Sequence, residues 1–511
     1  MPPQFVLKLA VPQEKVQRLL AHRLLRAPGK RQSEPLFSIY YDTRRLDLHR
    51  AHLLLRLRKA GDDWLQTVSP RQRWRAGLAQ RGHWESPYRG HFDFAAVEDK
   101  KLRARLQQAR IKDRLEPIFE IRWRRLTCLL EPATDVAILL IFDRGWIAAG
   151  GRRAALAELE LELLAGDSSD LYALAAQFTE RLALLPESIS RAERGYRLYL
   201  NTPAAPVGAE RVSLDAAASP LEALRTIALD CLTHLQDNHA GAIAGADPEY
   251  VHQMRVATRR LRAALRLFAP VLGETFAAAL LPQLRGLMAT LGRSRDLHVL
   301  MSEIVGPVAA ALPDEPRLTD LAGIIAERLY QAHQEAAQAL RQPDYGRLLL
   351  LAGALLQGAA QGPGAAVTAA PTLAQFADGR LRRLRRRVLH LASRVGDDDP
   401  DARHALRKSV KRLRYALEFF AALLPRKALK VVLHDLAQLQ NELGQLNDLS
   451  NAGSALTQIA GHQAQLREAV TLIGGWHAPR YAGLLAGLPR HLRRLARLSL
   501  PRPRNGATLT P

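Results

Sequence analysis

Cysteine is scarce in this chain of 511 residues, which contains only Cys128 and Cys231. Two thiols exclude a disulfide framework and a four-thiolate zinc site, and they favour a reducing, cytoplasmic setting. Aromatic residues are also few, at 6% of the chain, and within the repeated basic segments described below Tyr415 alone stands among the arginines. A surface that stacks nucleic-acid bases on aromatic rings is therefore poorly supported, and nucleic acid is not the expected partner.

Long apolar runs are missing as well. The longest uncharged stretch, residues 348–377, begins LLLLAGALL and continues with glutamine, proline and glycines. A membrane-spanning helix needs about 20 mostly apolar residues, so we expect no membrane span but a buried helix that runs into a linker. The N-terminal MPPQFVLKLAVPQEK lacks the pattern of a secretory signal. No Gly-rich phosphate loop is present, which argues against a nucleotide-dependent kinase or a dehydrogenase.

Acidic residues are fewer than basic residues in this chain. The chain has 73 Lys and Arg residues against 50 Asp and Glu, a net charge of +23, and 48% hydrophobic residues. The basic balance predicts a polyanionic partner, such as nucleic acid, an anionic membrane or a phosphate compound. The chain is too long for one core and too apolar for a disordered tail, so we expect two or three folded domains.

The pattern of side chains changes along the chain. Residues 1–200 contain short runs with the period-2 alternation of strands, whereas residues 214–500 are rich in Leu, Ala, Arg and Gln at helical spacing. Residues 201–213 include a Pro/Ala/Gly stretch that is typical of an interdomain linker. Residues 501–511 are expected to form a disordered tail.

A basic motif occurs twice in the helical half. HQMRVATRRLR at 252–262 returns as HALRKSVKRLR at 404–414, which is 152 residues later. The same offset aligns LGRSRDL at 291–297 with LGQLNDL at 443–449. Two separate motifs in one register indicate a duplication, with repeats at about 214–357 and 372–500. Asp296, Asn447 and Asp448 in the second motif are expected to cap helices or to orient arginines.

Basic residues in both copies follow the histidine at steps of 3, 7 and 10, which fall on one face of a helix. The two stripes are His252, Arg255, Arg259 and Arg262, and His404, Arg407, Lys411 and Arg414. Like charges on one stripe repel, and phosphate would offset the repulsion through charge-assisted hydrogen bonds. A solvated basic face is the alternative for a single stripe. The repetition favours two stripes that form a cationic channel for a linear polyanion.

The segments HQMRVATRRLRA and HALRKSVKRLRYALEFF resemble the CHAD family, and the resemblance covers roughly residues 214–500. It implies an all-α domain of two four-helix repeats that binds inorganic polyphosphate through a basic inner surface. The candidate binding residues that the resemblance transfers to this chain are His252, Arg255, Arg259, Arg260, Arg262, His404, Arg407, Lys411, Arg412 and Arg414.

Charged residues alternate with leucines in two segments of the first half. AELELEL places Glu158, Glu160 and Glu162 on one face of a strand, and LRLR does the same with Arg56 and Arg58. A half-buried strand with its charges toward solvent explains this pattern. A closed barrel with a charged lumen is the alternative. In such a lumen, arginines would clamp phosphates while carboxylates would hold Mg²⁺ or Mn²⁺.

Much of residues 4–197 resembles the CYTH family of triphosphate tunnel metalloenzymes. The resemblance rests on SIYYDTRRLDLHRAHLLLRLRKAGDDWLQT, QRGHWESP, PIFEIRWRR, IFDRG, AELELELLAGD and SRAERGY. It implies an N-terminal antiparallel β-barrel tunnel with flanking helices, and metal-dependent hydrolysis of inorganic triphosphate. Together the two resemblances imply an α+β multidomain protein with a CYTH-like domain at 1–200 and a CHAD-like domain at 214–500.

The CYTH resemblance implies catalytic roles for Lys8 and Glu85. It implies phosphate binding by Arg56, Arg58, Arg81, Arg124, Arg125 and Arg191, and metal binding by Asp143, Glu158, Glu160 and Glu162. The family opens with Glu-x-Glu-x-Lys, whereas this chain reads QFVLK at 4–8, so only Lys8 remains. Ser69 and Arg191 also stand where the family has lysine.

These departures leave three functions open. The chain is a triphosphatase that uses Mg²⁺ or Mn²⁺, a non-catalytic polyphosphate-binding or scaffold protein, or a basic nucleic-acid-binding protein. The lost glutamates count against the first function because valine cannot coordinate a cation.

Overall fold

The computed structural model describes residues 5–26, 31–71, 78–80, 83–180, 182–202, 204–245, 247–272, 274–358, 371–396 and 399–503. The chain divides into two compact units. The first unit consists of Met1–Ala205 together with Arg341–Gly358, and the second consists of Pro206–Leu340 together with Ala359–Pro511.

The first unit combines a sheet with short helices. Its strands are β1 (Phe5–Ala10), β2 (Arg31–Asp42), β3 (Leu53–Ala60), β4 (Asp63–Pro70), β5 (Leu78–Gln80), β6 (Trp84–Pro87), β7 (Glu116–Ala133), β8 (Val136–Ala149), β9 (Arg152–Ala165) and β10 (Leu185–Pro186). Its helices within residues 1–205 are α1 (Val16–Leu20), α2 (Arg23–Arg26), α3 (Asp47–Arg50), α4 (Lys100–Leu106), α5 (Ala109–Lys112), α6 (Ser168–Thr179) and α7 (Arg191–Leu200).

The strands form one antiparallel sheet in the order β10-β1-β9-β8-β7-β2-β3-β4-β6, and β5 also pairs with β1. This confirms the predicted antiparallel sheet with flanking helices. Within the part of the chain that the structure describes, β5 pairs with β1 and β6 pairs with β4, so the consecutive strands β5 and β6 join opposite ends of the sheet. They do not pair with each other, and the predicted closed barrel is therefore not confirmed.

Strand β9 is buried on both faces. Leu159 and Leu161 belong to an apolar core that also contains residues of α6. On the opposite face, Glu158, Glu160 and Glu162 retain only 0%, 3% and 9% of their exposure. The alternation of leucine and glutamate was predicted, but the alternative in which the carboxylates face solvent is wrong, because these side chains lie under neighbouring elements.

A helix from the second half of the sequence completes the core of the first unit. Helix α14 (Pro343–Gly358) packs on α6 and β10, and its Leu350 joins the core that contains Leu159. Gly353 lies so close to the buried ring of Tyr172 that any Cβ there would collide with it. The sequence-based boundaries had placed α14 in the first helical repeat, whereas the structure groups it with the first unit.

The described part of the second unit contains helices and no strand. Its helices are α8 (Pro220–Asp237), α9 (His239–Ala244), α10 (Glu249–Leu267), α11 (Glu274–Val299), α12 (Gly306–Ala311), α13 (Pro316–Arg341), α15 (Leu373–Ala392), α16 (Pro400–Phe419), α17 (Arg426–Ala460) and α18 (Ala464–Ala496). When 152 is added to the residue numbers, the range of α8 aligns with that of α15, α10 with α16, α11 with α17, and α13 with α18. The predicted C-terminal helical region is confirmed.

Most of the predicted tail and of the stretch between the repeats lies outside the described residues. Among the helices that are described, none combines the length and the hydrophobicity needed to cross a bilayer.

Candidate functional site

A charged face crosses the middle of the sheet in the first unit. Register places Lys8 of β1 opposite Glu160 of β9, and Asp143 of β8 opposite both Glu158 of β9 and Arg125 of β7. Residues directly opposite each other in an antiparallel pair project to the same side of the sheet. The five side chains, which sequence reasoning assigned to catalysis, phosphate binding and metal binding, therefore share one face.

Arg191, the first residue of α7, binds three of the carboxylates on this face. Its Nη2 lies 2.6 Å from Asp143 and 2.8 Å from Glu160, and its Nε lies 2.5 Å from Glu158. Helix α7 begins here because Ser190 accepts a hydrogen bond from the backbone N–H of Glu193 as its N-cap. The cap fixes the start of the helix and therefore the point from which Arg191 reaches the sheet.

Other cations complete the neutralisation of these carboxylates. Arg125 makes two hydrogen bonds to Asp143, at 2.9 and 2.8 Å. Glu158 also contacts Arg194 at 3.2 Å and Lys8 at 3.8 Å, and Lys8 donates to the backbone carbonyl of Ile189 at 2.8 Å. Arg194 was not among the predicted site residues, because only the turn of α7 brings it to β9.

The ion pairs set the protonation of the buried groups. Burial alone would raise the pKa of Glu158, but Lys8, Arg191 and Arg194 outweigh it and leave that pKa below its ordinary value. Burial would lower the pKa of Arg191, whereas Asp143, Glu160 and Glu158 raise it well above the ordinary value. The carboxylate of Glu158 and the guanidinium of Arg191 therefore both stay charged, and each depends on the other.

This face does not fit the divalent metal that the family resemblance implies. Mg²⁺ and Mn²⁺ need several free oxygen ligands, but Arg191 already occupies oxygens of the candidate metal ligands Asp143, Glu158 and Glu160. Val6, which lies opposite Glu162, offers no oxygen from its side chain. Among the residues that the structure describes, no group of three or more His, Cys, Asp or Glu side chains is placed to hold a metal ion.

The remaining predicted residues of this unit lie farther along the sheet, on β3, β6 and β7. Arg58 contacts Glu85 directly at 3.4 Å. Thr67 links Arg56 to the same carboxylate, because it accepts a hydrogen bond from Arg56 at 3.4 Å and donates one to Glu85 at 3.2 Å. Arg124 neighbours Arg125 in β7, so its side chain projects from the opposite face, where it contacts Ser33. The structure thus separates Arg124 from the other candidates. Arg81 lies outside the described residues.

In the second unit, the two predicted stripes lie on helices that pack together, α10 and α16. Their members are His252, Arg255, Arg259, Arg262, His404, Arg407, Lys411 and Arg414, and these eight residues are called the basic cluster below. On each helix, the spacing of 3, 7 and 10 residues predicted that the four members of the stripe lie on one face, because each step returns to nearly the same side of a helix.

The motif that follows each stripe supports its arginine. Arg255 contacts Asp296 of α11 at 3.2 Å, and Arg407 contacts the equivalent Asp448 of α17 at 3.7 Å. His404 shares a hydrogen bond of 2.6 Å with Asn447. Of the two roles expected for these polar residues, the structure shows orientation of basic side chains, whereas capping is wrong because all of them lie inside long helices.

Two equivalent glycines allow these arginines to approach closely. A Cβ at Gly292 would come within 2.9 Å of the Arg255 guanidinium, and a Cβ at Gly444 would come within 3.8 Å of Arg407. The glycines belong to the LG pair that recurs at the offset of 152 residues. The repeated LG therefore marks the place where each arginine crosses a neighbouring helix.

Several buried nitrogens of the basic cluster have no hydrogen-bond partner within the described residues. They are Nε of Arg255, Arg259, Arg262 and Arg407, Nη1 of Arg255, and Nδ1 of His252. A buried donor without an acceptor costs about 1–3 kcal/mol, and more when the group is charged. An anion bound on this face would supply the acceptors that these nitrogens lack.

Crowding of positive charge shifts pKa values in the same cluster. Burial, with Arg295 and Arg259 nearby, lowers the pKa of His252 to about 4. Burial and the guanidiniums of Arg407 and Arg259 lower the pKa of Lys411 to about 7. An approaching anion would reverse these effects, because it stabilises the protonated form of each side chain.

A cavity of about 500 Å³ opens next to the basic cluster, and no carboxylate lines it. Its cationic lining consists of Arg259, Arg262, Arg266, Arg380, Lys408, Lys411 and Arg412. Sequence reasoning missed Arg266, Arg380 and Lys408 because they fall outside the repeated spacing. The arginine-rich segment of α15, GRLRRLRRR, was the available signal for Arg380.

Arg260 and Arg412 occupy equivalent positions but have different surroundings. Arg260 is 7% exposed, contacts Glu418 at 2.6 Å, and lies over the rings of Phe419 and Tyr415. Arg412 is exposed and lines the cavity. The structure therefore separates Arg260 from the predicted polyphosphate-binding residues, whereas it leaves Arg412 among them.

We expect Arg260→Met to destabilise the second unit by about 1–3 kcal/mol, because it removes the buried guanidinium that contacts Glu418, which then retains only Arg414 at 3.3 Å. Arg412→Met should leave stability unchanged and weaken binding of polyphosphate. Urea unfolding and polyphosphate titration of the two variants measure this contrast. Equal losses of stability in both variants would contradict it.

Comparisons with known proteins find a CYTH domain followed by a CHAD domain in this chain. A model of the CYTH domain matches residues 3–196, and a model of the CHAD domain matches residues 226–457. The crystal structure of the CHAD domain from the plant Ricinus communis is 36% identical, with a TM-score of 0.52, and the match covers 59% of this chain and all of that chain.

Two further proteins are similar to this chain at lower sequence identity. An uncharacterized protein of Mycobacterium tuberculosis is 27% identical over 408 residues, which is 75% of each chain. A Hippeastrum protein, described as an adenylyl cyclase with a dominant triphosphatase activity, is 15% identical with a TM-score of 0.29. That match covers 38% of this chain and 95% of the Hippeastrum protein.

Proposed function

The chain belongs to the two-domain CYTH–CHAD proteins, and we propose that it binds inorganic polyphosphate through the basic cluster of its second unit. The buried guanidinium N–H groups without acceptors carry this proposal. A phosphate chain presents several oxygens per unit, so it can satisfy Arg255, Arg259 and Arg407 through charge-assisted hydrogen bonds. The adjacent cavity with its seven cationic residues extends the same surface.

Binding without hydrolysis is the function that the side chains support. The basic cluster contains no nucleophile that is activated by a neighbouring base, and the carboxylates of the first unit are bound by arginines. Metal-assisted hydrolysis of triphosphate needs free ligands for the ion. We therefore place triphosphatase activity outside the proposed function.

The test is a titration of long-chain polyphosphate against variants of the full chain. Each of Arg259→Ala and Arg407→Ala should weaken binding by about tenfold or more, because one charge-assisted hydrogen bond contributes about 1.5–3 kcal/mol. The double variant should lose roughly 100-fold. Arg328→Ala, which removes the same charge from an exposed position of α13, should change the affinity less than twofold.

Two results would count against the proposal. One is an affinity of the double variant equal to that of Arg328→Ala, with circular dichroism showing that both are folded. The other is displacement of polyphosphate by an equal charge concentration of duplex DNA at roughly 150 mM salt, where exposed charges are screened beyond about 8 Å. The second result would favour a nucleic-acid-binding function.

A further inference from the structure

We propose that the guanidinium of Arg191 replaces a divalent cation in the first unit and closes its carboxylate cluster to metal. The cluster consists of Asp143, Glu158 and Glu160, which are 0%, 0% and 3% exposed. Arg191 contacts all three at 2.5–2.8 Å through two of its nitrogens. A single buried cation that joins three carboxylates from neighbouring strands has the structural role of a bound metal ion.

The balance of charge supports the replacement. The three carboxylates and the neighbouring Glu187, which interacts with Lys8, Glu158 and Arg194, are matched by four cations, Lys8, Arg125, Arg191 and Arg194. Adding a divalent ion would bring two more positive charges into a buried region where charges interact strongly. The cluster therefore has neither the free oxygens nor the negative charge that a divalent ion requires.

The shape of the arginine side chain explains why this position can hold the cluster together. A planar guanidinium donates along several fixed directions and can bridge separate carboxylates. Helix α7 places Arg191 at its first turn, and Nε and Nη2 point to oxygens on β8 and β9. Arg194, one turn later, touches only Glu158 among the three. Arg191 is thus the one cation of the four that contacts all three carboxylates, and Arg125 keeps its two hydrogen bonds to Asp143 when Arg191 is removed.

The experiment compares Mn²⁺ binding by the wild-type full chain, Arg191→Met and the matched control Arg194→Met. Free Mn²⁺ is measured by electron paramagnetic resonance, and thermal unfolding is followed with Mn²⁺ or with a chelator. We expect no specific Mn²⁺ uptake and no shift of the unfolding midpoint for the wild type and Arg194→Met. Arg191→Met should unfold earlier in chelator, bind one Mn²⁺ per chain, and regain about 5–10 °C at saturating Mn²⁺.

Two outcomes would overturn the proposal. If the wild type binds one Mn²⁺ and Glu160→Gln abolishes that binding, the cluster is open to metal despite Arg191. If Arg191→Met folds but binds no Mn²⁺, its guanidinium does not stand in for an ion. Should Arg191→Met fail to fold in chelator, folding on addition of Mn²⁺ supports the proposal and failure to fold counts against it.

This inference and the proposed polyphosphate binding concern different units, so their tests are independent. Loss of polyphosphate affinity in the basic-cluster variants tells nothing of Mn²⁺ uptake by Arg191→Met. Either proposal can therefore fail while the other stands.

Discussion

A fragment that ends at residue 205 is expected to be unstable, because it lacks helix α14 of its own compact unit. Leu350 of this helix is 2% exposed in the core beneath β9, and Tyr172 of that core lies directly against Gly353. Exposing a large buried apolar side chain costs about 1.5–3 kcal/mol, whereas a whole domain is stable by about 5–15 kcal/mol. Losing α14 should therefore remove most of the stability of the first unit.

The matched fragment carries residues 341–358 after residue 205 through a flexible Gly/Ser linker. Thermal unfolding of both fragments should show a cooperative transition for the extended fragment, and an early or absent transition for the short one. Equal unfolding midpoints would show that the helix is dispensable. The comparison matters for any isolated study of this domain, because a boundary chosen from the sequence alone leaves α14 out.

The full chain offers a second test of the same packing. Gly353→Leu should lower the unfolding midpoint, since overpacking a core costs about 1–3 kcal/mol and the added side chain would collide with Tyr172. Gly323→Leu is the control, because space is open around Gly323 on the exposed side of α13. Calorimetry of the two variants should show a loss in the first only.

Local periodicity predicted much of this molecule. The steps of 3, 7 and 10 residues in the basic motif predicted the faces of α10 and α16, and the offset of 152 residues predicted equivalent helices. The alternation in β9 predicted that leucines and glutamates face opposite ways. These predictions succeeded because side-chain direction in helices and strands depends only on neighbours in the sequence.

Features that depend on distant residues were not predicted. The sequence contains no signal that α14 packs with α6, and nothing in residues 157–163 reveals that Arg191 lies over their glutamates. Arg260 and Arg412 match within the repeat, but Glu418 and two aromatic rings bury only the first. The contribution of Arg380 to the cavity likewise requires the packing of α15. Tertiary neighbours, not local pattern, decide each of these roles.

The affinity for polyphosphate is expected to fall as pH rises above 7, because the site contains a lysine that is only partly protonated when it is empty. Burial and the nearby guanidiniums hold the pKa of Lys411 at about 7, against an ordinary value of 10.5. A bound phosphate chain stabilises the ammonium form, so binding takes up a proton. Affinity should then decline by up to about tenfold per pH unit over the range from 7 towards 10.5.

The charged groups that act on Lys411 come from three helices. Arg259 of α10 and Arg407 and Arg414 of α16 lower its pKa, while Asp448 of α17 opposes them. The ligand cannot produce the predicted decline, because the internal phosphate groups are ionised throughout this range and the terminal groups, which lose a proton near pH 6, bind a cationic site more strongly as they do. A decrease in affinity with rising pH therefore reports the protein and not the anion.

Lys411→Arg provides the decisive comparison, because its guanidinium keeps the charge throughout this range. Polyphosphate affinity measured from pH 6 to 9 at constant ionic strength should fall for the wild type and stay nearly level for Lys411→Arg. The same lowered pKa has a second consequence. The unfolded chain binds this proton more tightly than the empty folded protein, so the stability of the empty protein gains a contribution as pH rises above 7. If the polyphosphate affinities of the wild type and Lys411→Arg depend on pH in the same way, Lys411 is not the titrating group.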